Sequence, residues 1–154
     1  MFWDEIREPL RGECRIVSNT GVKIVPMREP SDEDTEGISD AFPFPAKPMV
    51  KKKIPFEHPG GKLELREIEV EEDDPEVIKA WESAREDIEE MRWLALVDAS
   101  IEKDTQVKPP GETIRERVEF LRKMPKFVRV KLINAARELI DNRLSERYDE
   151  AKKE

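Results

Sequence analysis

The sequence predicts an α+β protein, with short β-hairpins and an extended linker in its N-terminal part and about three helices in its C-terminal half. Most of the prolines lie before residue 60, where they exclude long helices and central strands. Two stretches of strand-forming residues flank turns that contain glycine. After residue 73, apolar residues recur at helical spacing. We therefore divide the 154 residues into segments 1–48, 49–72 and 73–154.

The segment 1–48 is predicted to be an arm with a short hairpin and an acidic, proline-rich linker. Residues 14–17 and 22–26 are strand-forming and flank a turn that contains Asn19 and Gly21. Residues 29–48 are first acidic and then proline-rich, a composition typical of an extended linker that buries little apolar surface. Its Phe-Pro-Phe-Pro sequence either docks on a groove elsewhere or is a simple connector, and we favour the connector.

The segment 49–72 is predicted to be a β-hairpin around a Pro-Gly-Gly turn at residues 59–61. Apolar and charged residues alternate on the return strand, but the alternation slips by one position between Leu65 and Ile68. We expect a β-bulge near Arg66 or Glu67, because an extra residue there would restore a single apolar face.

Three consecutive lysines at residues 51–53 lie on the first strand of this predicted hairpin. The return strand carries Glu64, Glu67 and Glu69, and opposite charges on neighbouring strands attract each other. We therefore interpret the lysines as cross-strand charge partners and not as nucleic-acid contacts.

The segment 73–154 is predicted to be helical. Asp74 is a suitable cap for a helix that has Pro75 in its first turn. The apolar spacing extends this helix to about Ser100, and its last turns are apolar on nearly every side. That end must be buried on more than one face.

Two further helices are predicted after a loop at residues 109–111. Thr113 can cap a short helix, which Pro125 ends. From Pro125 onward the apolar spacing predicts a third helix to about Tyr148.

Composition indicates a cytoplasmic protein without a membrane partner. The formal net charge of −8 repels anionic lipid and phosphate backbones. No apolar run reaches the roughly eighteen residues of a membrane span, and the first ten residues lack the pattern of a secretory signal. A single cysteine, Cys14, cannot form an internal disulfide and is interpreted as a small apolar residue.

Catalytic, metal-binding and cofactor-binding motifs are not recognised in the sequence. The only histidine, His58, precedes the Pro-Gly-Gly turn, and no ligand set with metal-binding spacing accompanies it. The glycines match neither the phosphate-loop nor the dinucleotide-binding spacing. We therefore assign no catalytic residue, metal or cofactor and expect a protein that is not an enzyme.

A basic stretch between residues 122 and 137 contains six lysines and arginines and no acid. Such a cluster on one face could neutralise phosphates. Core-type residues such as Val128 and Leu132 interrupt it, however, and acids follow at once. We favour a solvated face that pairs with the acidic first helix, so nucleic acid is an unlikely partner.

Five short motifs between residues 45 and 121 occur in a recognisable order. They read Pro45-Ala46-Lys47-Pro48, His58-Pro59-Gly60-Gly61-Lys62, Asp73-Asp74-Pro75-Glu76, Ala80-Trp81-Glu82 and Glu119-Phe120-Leu121. In this order the chain resembles the tail assembly chaperones of long-tailed bacteriophages and related prophages. The forty N-terminal residues and the helix after Pro125 have no counterpart in that resemblance.

The resemblance implies a non-enzymatic protein of the host cytoplasm, which keeps the tape measure protein, or another tail protein, soluble during tail assembly. Apolar residues beyond the needs of a small core are then candidate partner contacts, and each has a place in the core as its alternative. They are Trp81, Met91, Trp93, Leu96, Phe120 and Phe127. A second hypothesis is a structural subunit of a virion or homo-oligomer that docks through its N-terminal arm, and a nucleic-acid-binding regulator is the third.

Overall fold

A computed structural model describes residues 1–102 and 106–144 and confirms the α+β class. The helices are α1 (Phe2–Arg7), α2 (Asp32–Thr35), α3 (Ile38–Ala41), α4 (Pro75–Ser100), α5 (Ile114–Arg122) and α6 (Lys126–Leu144). The strands are β1 (Arg11–Ser18), β2 (Gly21–Arg28), β3 (Met49–Glu57) and β4 (Leu63–Glu71), which form two antiparallel hairpins, β1–β2 and β3–β4.

The chain forms two compact units that do not coincide with the three sequence segments. Unit 1 comprises residues 1–43 together with the chain from residue 90 onward, and unit 2 comprises residues 44–89. Helix α4 contributes its first part to unit 2 and its last part to unit 1.

The β1–β2 hairpin confirms the first predicted hairpin and extends it at both ends. Ser18 pairs with Gly21 across a two-residue loop, and Gly21 has φ +115°, a conformation that glycine adopts without strain. One face of the hairpin packs on α6, where Cys14 and Met27 are buried. This face forms the core of unit 1 together with the buried residues Leu94, Val97, Val118, Leu121, Leu132 and Leu139.

The predicted extended linker at residues 29–48 is wrong for residues 32–41, which form α2 and α3. Ser31 caps α2 by accepting a hydrogen bond from the Asp34 amide at 3.1 Å, and the Asp34 carboxylate accepts one from the Ser31 amide at 3.3 Å. This reciprocal capping box satisfies two amides that would otherwise lack partners. Residues 43–48 have no regular secondary structure.

The Phe-Pro-Phe-Pro sequence is held at both of its ends while Pro43 and Phe44 are exposed, so the favoured connector interpretation is wrong for Phe42 and Pro45. In unit 1, Phe42 is buried and its carbonyl accepts a 2.8 Å hydrogen bond from Arg92 Nε, while the Arg115 guanidinium lies 5.4 Å from its ring centroid. In unit 2, Trp81 Nε1 donates a 3.0 Å hydrogen bond to the carbonyl of Pro45. These hydrogen bonds satisfy backbone carbonyls that are partly removed from water.

The β3–β4 hairpin has no bulge, so that expectation is wrong. The register runs unbroken from Met49 opposite Glu71 to Glu57 opposite Leu63. Leu65 and Ile68 therefore point to opposite faces. Because both faces of this hairpin are largely exposed, burial does not demand a single apolar face.

The cross-strand charge pairing predicted for the lysine triplet is present in the register. Lys51 lies opposite Glu69 and Lys53 lies opposite Glu67. Lys52 lies opposite Ile68, on the other face. Two of the three lysines thus have the acidic neighbours that the sequence predicts.

The three helices of the C-terminal half begin where the sequence predicts. The Asp74 carboxylate accepts a hydrogen bond from the Glu76 amide at 3.0 Å, and Thr113 Oγ1 accepts one from the Glu116 amide at 3.2 Å. Helix α4 ends at Ser100, and Leu94, Ala95 and Val97 in its last turns are buried as expected. Residues 145–148 of the predicted third helix lie outside the described residues.

Helix α1 is not predicted by the sequence, and none of its residues is buried. Arg143 of α6 bonds to the residue that follows α1 and to Glu29. Its guanidinium forms a bidentate ion pair with Glu29, with N–O distances of 2.7–2.9 Å, and donates a 2.6 Å hydrogen bond to the carbonyl of Glu8. A planar guanidinium suits such several-partner binding.

Cys14 provides a test of the unit 1 core. Burial raises the pKa of its thiol above the ordinary 9.0, and the Lys131 charge opposes this by a smaller amount. The thiol's contribution to stability is therefore complete below the pKa of the unfolded thiol and is lost as the pH rises above it. We expect the free energy of unfolding, measured in urea, to fall more steeply between about pH 8 and 10 for the native chain than for Cys14→Ala. Equal slopes for the two proteins would contradict this burial.

Candidate protein-interaction surface

An apolar groove of about 330 Å³ lies on the surface of unit 1. Its walls come from both strands of the first hairpin, from the chain that follows α4, and from α5 and α6. The lining residues are Ile16, Val25, Ile101, Gln106, Val107, Lys108, Pro109, Pro110, Phe120, Leu121, Met124, Val128 and Leu132. A concave, mostly apolar surface of this kind is typical of binding sites.

The floor of the apolar groove depends on the chain that leaves α4. Ile101 forms an isolated antiparallel bridge with Met27, and the Glu102 amide donates a 3.3 Å hydrogen bond to the carbonyl of Pro26. These bonds use the outer edge of β2 and place Ile101 opposite Met27. The result is a short three-stranded patch whose apolar side chains line the groove.

A buried ion pair positions α5 against α4. Asp98 is buried near the end of α4, and both of its carboxylate oxygens accept 3.0 Å hydrogen bonds from Nε of Arg117. Nη1 of Arg117 also donates to the carbonyls of Gly111 and Glu112, at 3.3 and 3.2 Å. One guanidinium thus connects α4, the 109–113 loop and α5.

The loop before α5 requires glycine at position 111. Gly111 has φ +139°, and a Cβ atom there would lie 2.8 Å from the Glu116 Cβ and 3.0 Å from the Arg117 amide nitrogen. A side chain would therefore push the loop away from the first turn of α5. This close approach lets Arg117 reach the loop carbonyls.

Phe120 is the candidate contact residue that the structure places in the apolar groove. Its side chain is 37% exposed, and it also borders a second, more open depression lined by Arg115, Glu119 and Lys123. Phe120 therefore forms the ridge between two concave surfaces. An aromatic ring in this position offers a large apolar area to a partner.

The other five candidates do not line the apolar groove. Phe127 is 58% exposed on α6, with the Lys131 ammonium 5.0 Å from its ring centroid. Trp93 is half-buried beneath the Arg137 guanidinium at 4.4 Å. Met91 and Leu96 are half-buried on α4, and Trp81 is a half-buried residue of unit 2.

Several lining residues of the groove were not identified from the sequence. Val128 was assigned to the apolar face of α6, which is correct, but a single helix does not show whether part of that face stays open. Val107 and Met124 lie between helices, where no periodic pattern exists to single them out.

Side chains of the basic stretch at residues 122–137 contact other parts of unit 1. Arg129 forms an ion pair with Glu90 of the acidic helix α4, and Lys131 Nζ donates a 3.2 Å hydrogen bond to the carbonyl of Arg15. Arg137 stacks on Trp93. The pair with α4 is the kind of contact that the sequence favours over phosphate binding.

Among the described residues, no group of three or more His, Cys, Asp or Glu side chains is arranged to hold a metal ion. None of the helices in residues 1–102 and 106–144 combines the length and apolarity needed to cross a membrane. No protein-family description, curated protein or solved structure matches the chain. The resemblance to tail assembly chaperones therefore rests on the sequence motifs alone.

The Asp98–Arg117 pair generates a stability prediction. Replacing Arg117 with Met leaves the Asp98 carboxylate buried without its partner, so we expect the free energy of unfolding to fall by about 3–5 kcal/mol. Chemical denaturation measures this loss. As a matched control, Arg15→Met breaks the exposed pair between Arg15 and Glu13 and should cost less than about 1 kcal/mol. Similar losses in both variants would contradict the proposed importance of the buried pair.

The conformation of Gly111 in the loop before α5 leads to a further stability prediction. Gly111→Ala should lower the free energy of unfolding by about 2 kcal/mol or more, because alanine is strained at this φ and its Cβ overlaps α5. Gly60→Ala is the control, since Gly60 has no positive φ and open space around its Cα. We expect that variant to stay within about 1 kcal/mol of the native chain in the same denaturation experiment. An equal effect at both glycines would show that the loop does not need the close approach.

Proposed function

We propose that this protein is a non-enzymatic binding protein of the tail assembly chaperone type, which keeps a phage tape measure protein soluble in the host cytoplasm. The observation that carries the proposal is the apolar groove of unit 1, which leaves the Phe120 ring partly open to solvent. The order of motifs between residues 45 and 121 supports it independently. A chaperone of this kind needs apolar contact surface and no catalytic group.

The dimensions of the apolar groove suit reversible binding. At about 330 Å³ it lies near the lower end of the roughly 300–1,000 Å³ common for ligand pockets. It can therefore receive a few apolar side chains of a client, such as those repeated along one face of an amphipathic helix. A contact of this size can be released when the client enters the assembling tail.

The charge of the chain supports the same role. A formal net charge of −8 makes copies of the protein repel one another, which opposes self-association through an open apolar groove. A client held in the groove acquires this acidic, solvated surface. Repulsion between loaded complexes then opposes aggregation of the client.

A structural subunit is the second candidate, and one observation favours it. Phe2 and Trp3 of α1 are exposed and contact each other edge to face, with ring centroids 5.0 Å apart. Two exposed aromatic rings are suited to docking on a neighbouring subunit. Mass spectrometry of finished particles distinguishes the candidates, because a subunit is retained in fixed stoichiometry and a chaperone is absent or depleted.

Co-expression with the tape measure protein of the same genome tests the chaperone proposal. We expect the native chain to increase the soluble fraction of that client and Phe120→Ser to lose at least half of the increase. Phe127→Ser is the matched control, since it removes an exposed ring of unit 1 that lies outside the apolar groove. The soluble fraction is measured by quantitative immunoblotting after centrifugation.

Two results would contradict the proposal in different ways. If the native chain leaves the client insoluble, the chaperone function is wrong. If Phe127→Ser loses the increase in soluble client and Phe120→Ser keeps it, the chaperone function stands but the apolar groove is not its contact surface.

A further inference from the structure

The β3–β4 hairpin of unit 2 is exposed on both faces. All of its strand residues are exposed except Val50 and Val70, which are half-buried. Leu63 and Leu65 are 74% and 68% exposed. A two-stranded hairpin is marginally stable on its own in water and gains stability from a third strand. A third strand added at one edge of the hairpin would therefore stabilise it.

The hydrogen bonds at its two ends show which backbone groups point outward. The His58 amide donates to the Lys62 carbonyl at 2.9 Å, and the Glu72 amide donates to the Pro48 carbonyl at 3.0 Å. Hydrogen-bonded and non-hydrogen-bonded pairs alternate along an antiparallel ladder. Even-numbered residues are therefore bonded within the hairpin, and odd-numbered residues direct their N–H and C=O groups away from it.

The two outer edges of the hairpin differ in their capacity to bind another strand. On β3 the odd position 55 is a proline, so this edge lacks one of its outward donors. Proline and lysine on an edge strand are common devices against pairing with other chains. β4 contains neither. Its outward-facing residues are Leu63, Leu65, Glu67, Glu69 and Glu71.

The outward amides of β4 have no partner within the described chain. No hydrogen bond from the N–H groups of Leu63, Leu65, Glu67, Glu69 or Glu71 occurs among residues 1–102 and 106–144. Together with the matching carbonyls they form a continuous row nine residues long. This row is the template that an added strand requires.

Charge determines which strand can occupy this edge. Glu67 and Glu69 have Lys53 and Lys51 on the β3 side, while their other flank is open. A second β4 strand would place carboxylates beside carboxylates, and like charges on neighbouring strands destabilise a sheet. A basic strand instead places cations beside the open flank of the glutamates.

The face of β4 opposite Glu67 and Glu69 sets a second requirement for the sequence of the added strand. Ile68 and Val70 lie on the face that also carries Val50, Ile54 and Phe56 of β3. An added strand extends this face as well, so apolar residues at every second position would enlarge an apolar surface. The complementary sequence thus alternates basic with β-branched apolar residues.

We propose that the outer edge of β4 binds an extended segment of a partner protein in which lysine or arginine alternates with apolar residues, so that the hairpin becomes a three-stranded sheet. The β3 edge of a second copy is also basic, but Pro55 interrupts its donors, which favours a different protein as the occupant. This surface belongs to unit 2 and does not depend on the apolar groove or on the chaperone function.

A synthetic peptide of nine residues, alternately Lys and Val, is the probe. We expect it to bind the full-length chain in a fluorescence anisotropy titration, and a peptide with Glu in place of Lys to show no binding. A third peptide keeps the lysines but carries N-methyl groups on two consecutive central amides, one for each edge of the strand. It should bind about tenfold more weakly, because whichever of its edges faces β4 has lost one N–H donor.

Variants of the chain locate the binding edge. Leu65→Pro removes one outward donor from β4 without removing a bond inside the hairpin, and we expect it to weaken peptide binding about tenfold. Leu65→Ala keeps the donor, and Lys53→Pro makes the same change on the other edge, so both should bind within about threefold of the native chain. On peptide binding, the amides of Leu65 and Glu67 should gain protection from hydrogen exchange, while that of Lys53 should not.

A charge-reversal variant keeps the test decisive if Leu65→Pro disturbs the hairpin. Glu67→Lys/Glu69→Lys should lose the basic peptide and bind the acidic one. Equal binding of the basic and acidic peptides, or of the native and N-methylated peptides, would overturn the proposal. Sedimentation of the native chain as a concentration-dependent oligomer that the Lys53→Pro substitution abolishes would also overturn it, in favour of a second copy as the occupant.

Discussion

The arrangement of unit 1 depends on the buried carboxylate of Asp98. A charge removed from water near the end of α4 needs a partner, and Arg117 of α5 supplies it through two 3.0 Å hydrogen bonds. The remaining donors of the same guanidinium hold the loop at Gly111 and Glu112. Because α5 carries Phe120, the pair that places Arg117 also places the ridge of the apolar groove. Electrostatics inside the core thereby sets the position of an apolar contact outside it.

Arginine guanidinium groups lie over several aromatic rings of the chain. Guanidinium groups lie 4.4 Å from the ring centroid of Trp93, 5.4 Å from that of Phe42 and 5.8 Å from that of Trp81. Cations stack on ring faces favourably and bring their own hydration with them. Trp81 and Trp93 are half-buried beneath these cations, whereas the Phe120 ring is exposed. This covering distinguishes Trp81 and Trp93 from Phe120, although all three were equal candidates in the sequence.

Local interactions were predictable from the sequence, and long-range ones were not. The caps at Asp74 and Thr113 depend on residues two or three positions away, so the starts of α4 and α5 were predicted correctly. The capping box of Ser31 is equally local but was missed, because the acidic composition around it was interpreted as a linker. The bulge was predicted from the assumption that one face must be buried, which fails for an exposed hairpin. The apolar groove requires pairings such as Met27 with Ile101, which no periodicity reveals.

The two surfaces select partners by different physics. As proposed, the apolar groove would bind client side chains, and its specificity would come from shape. The β4 edge offers backbone hydrogen bonds suited to any extended chain, and in our proposal its glutamates restrict the choice to basic sequences. The same glutamates prevent β4 from pairing with itself, as Pro55 disfavours pairing at β3. An acidic β4 edge can therefore remain open, because its charge disfavours pairing with β4 of another copy and Pro55 interrupts the donors of the basic β3 edge.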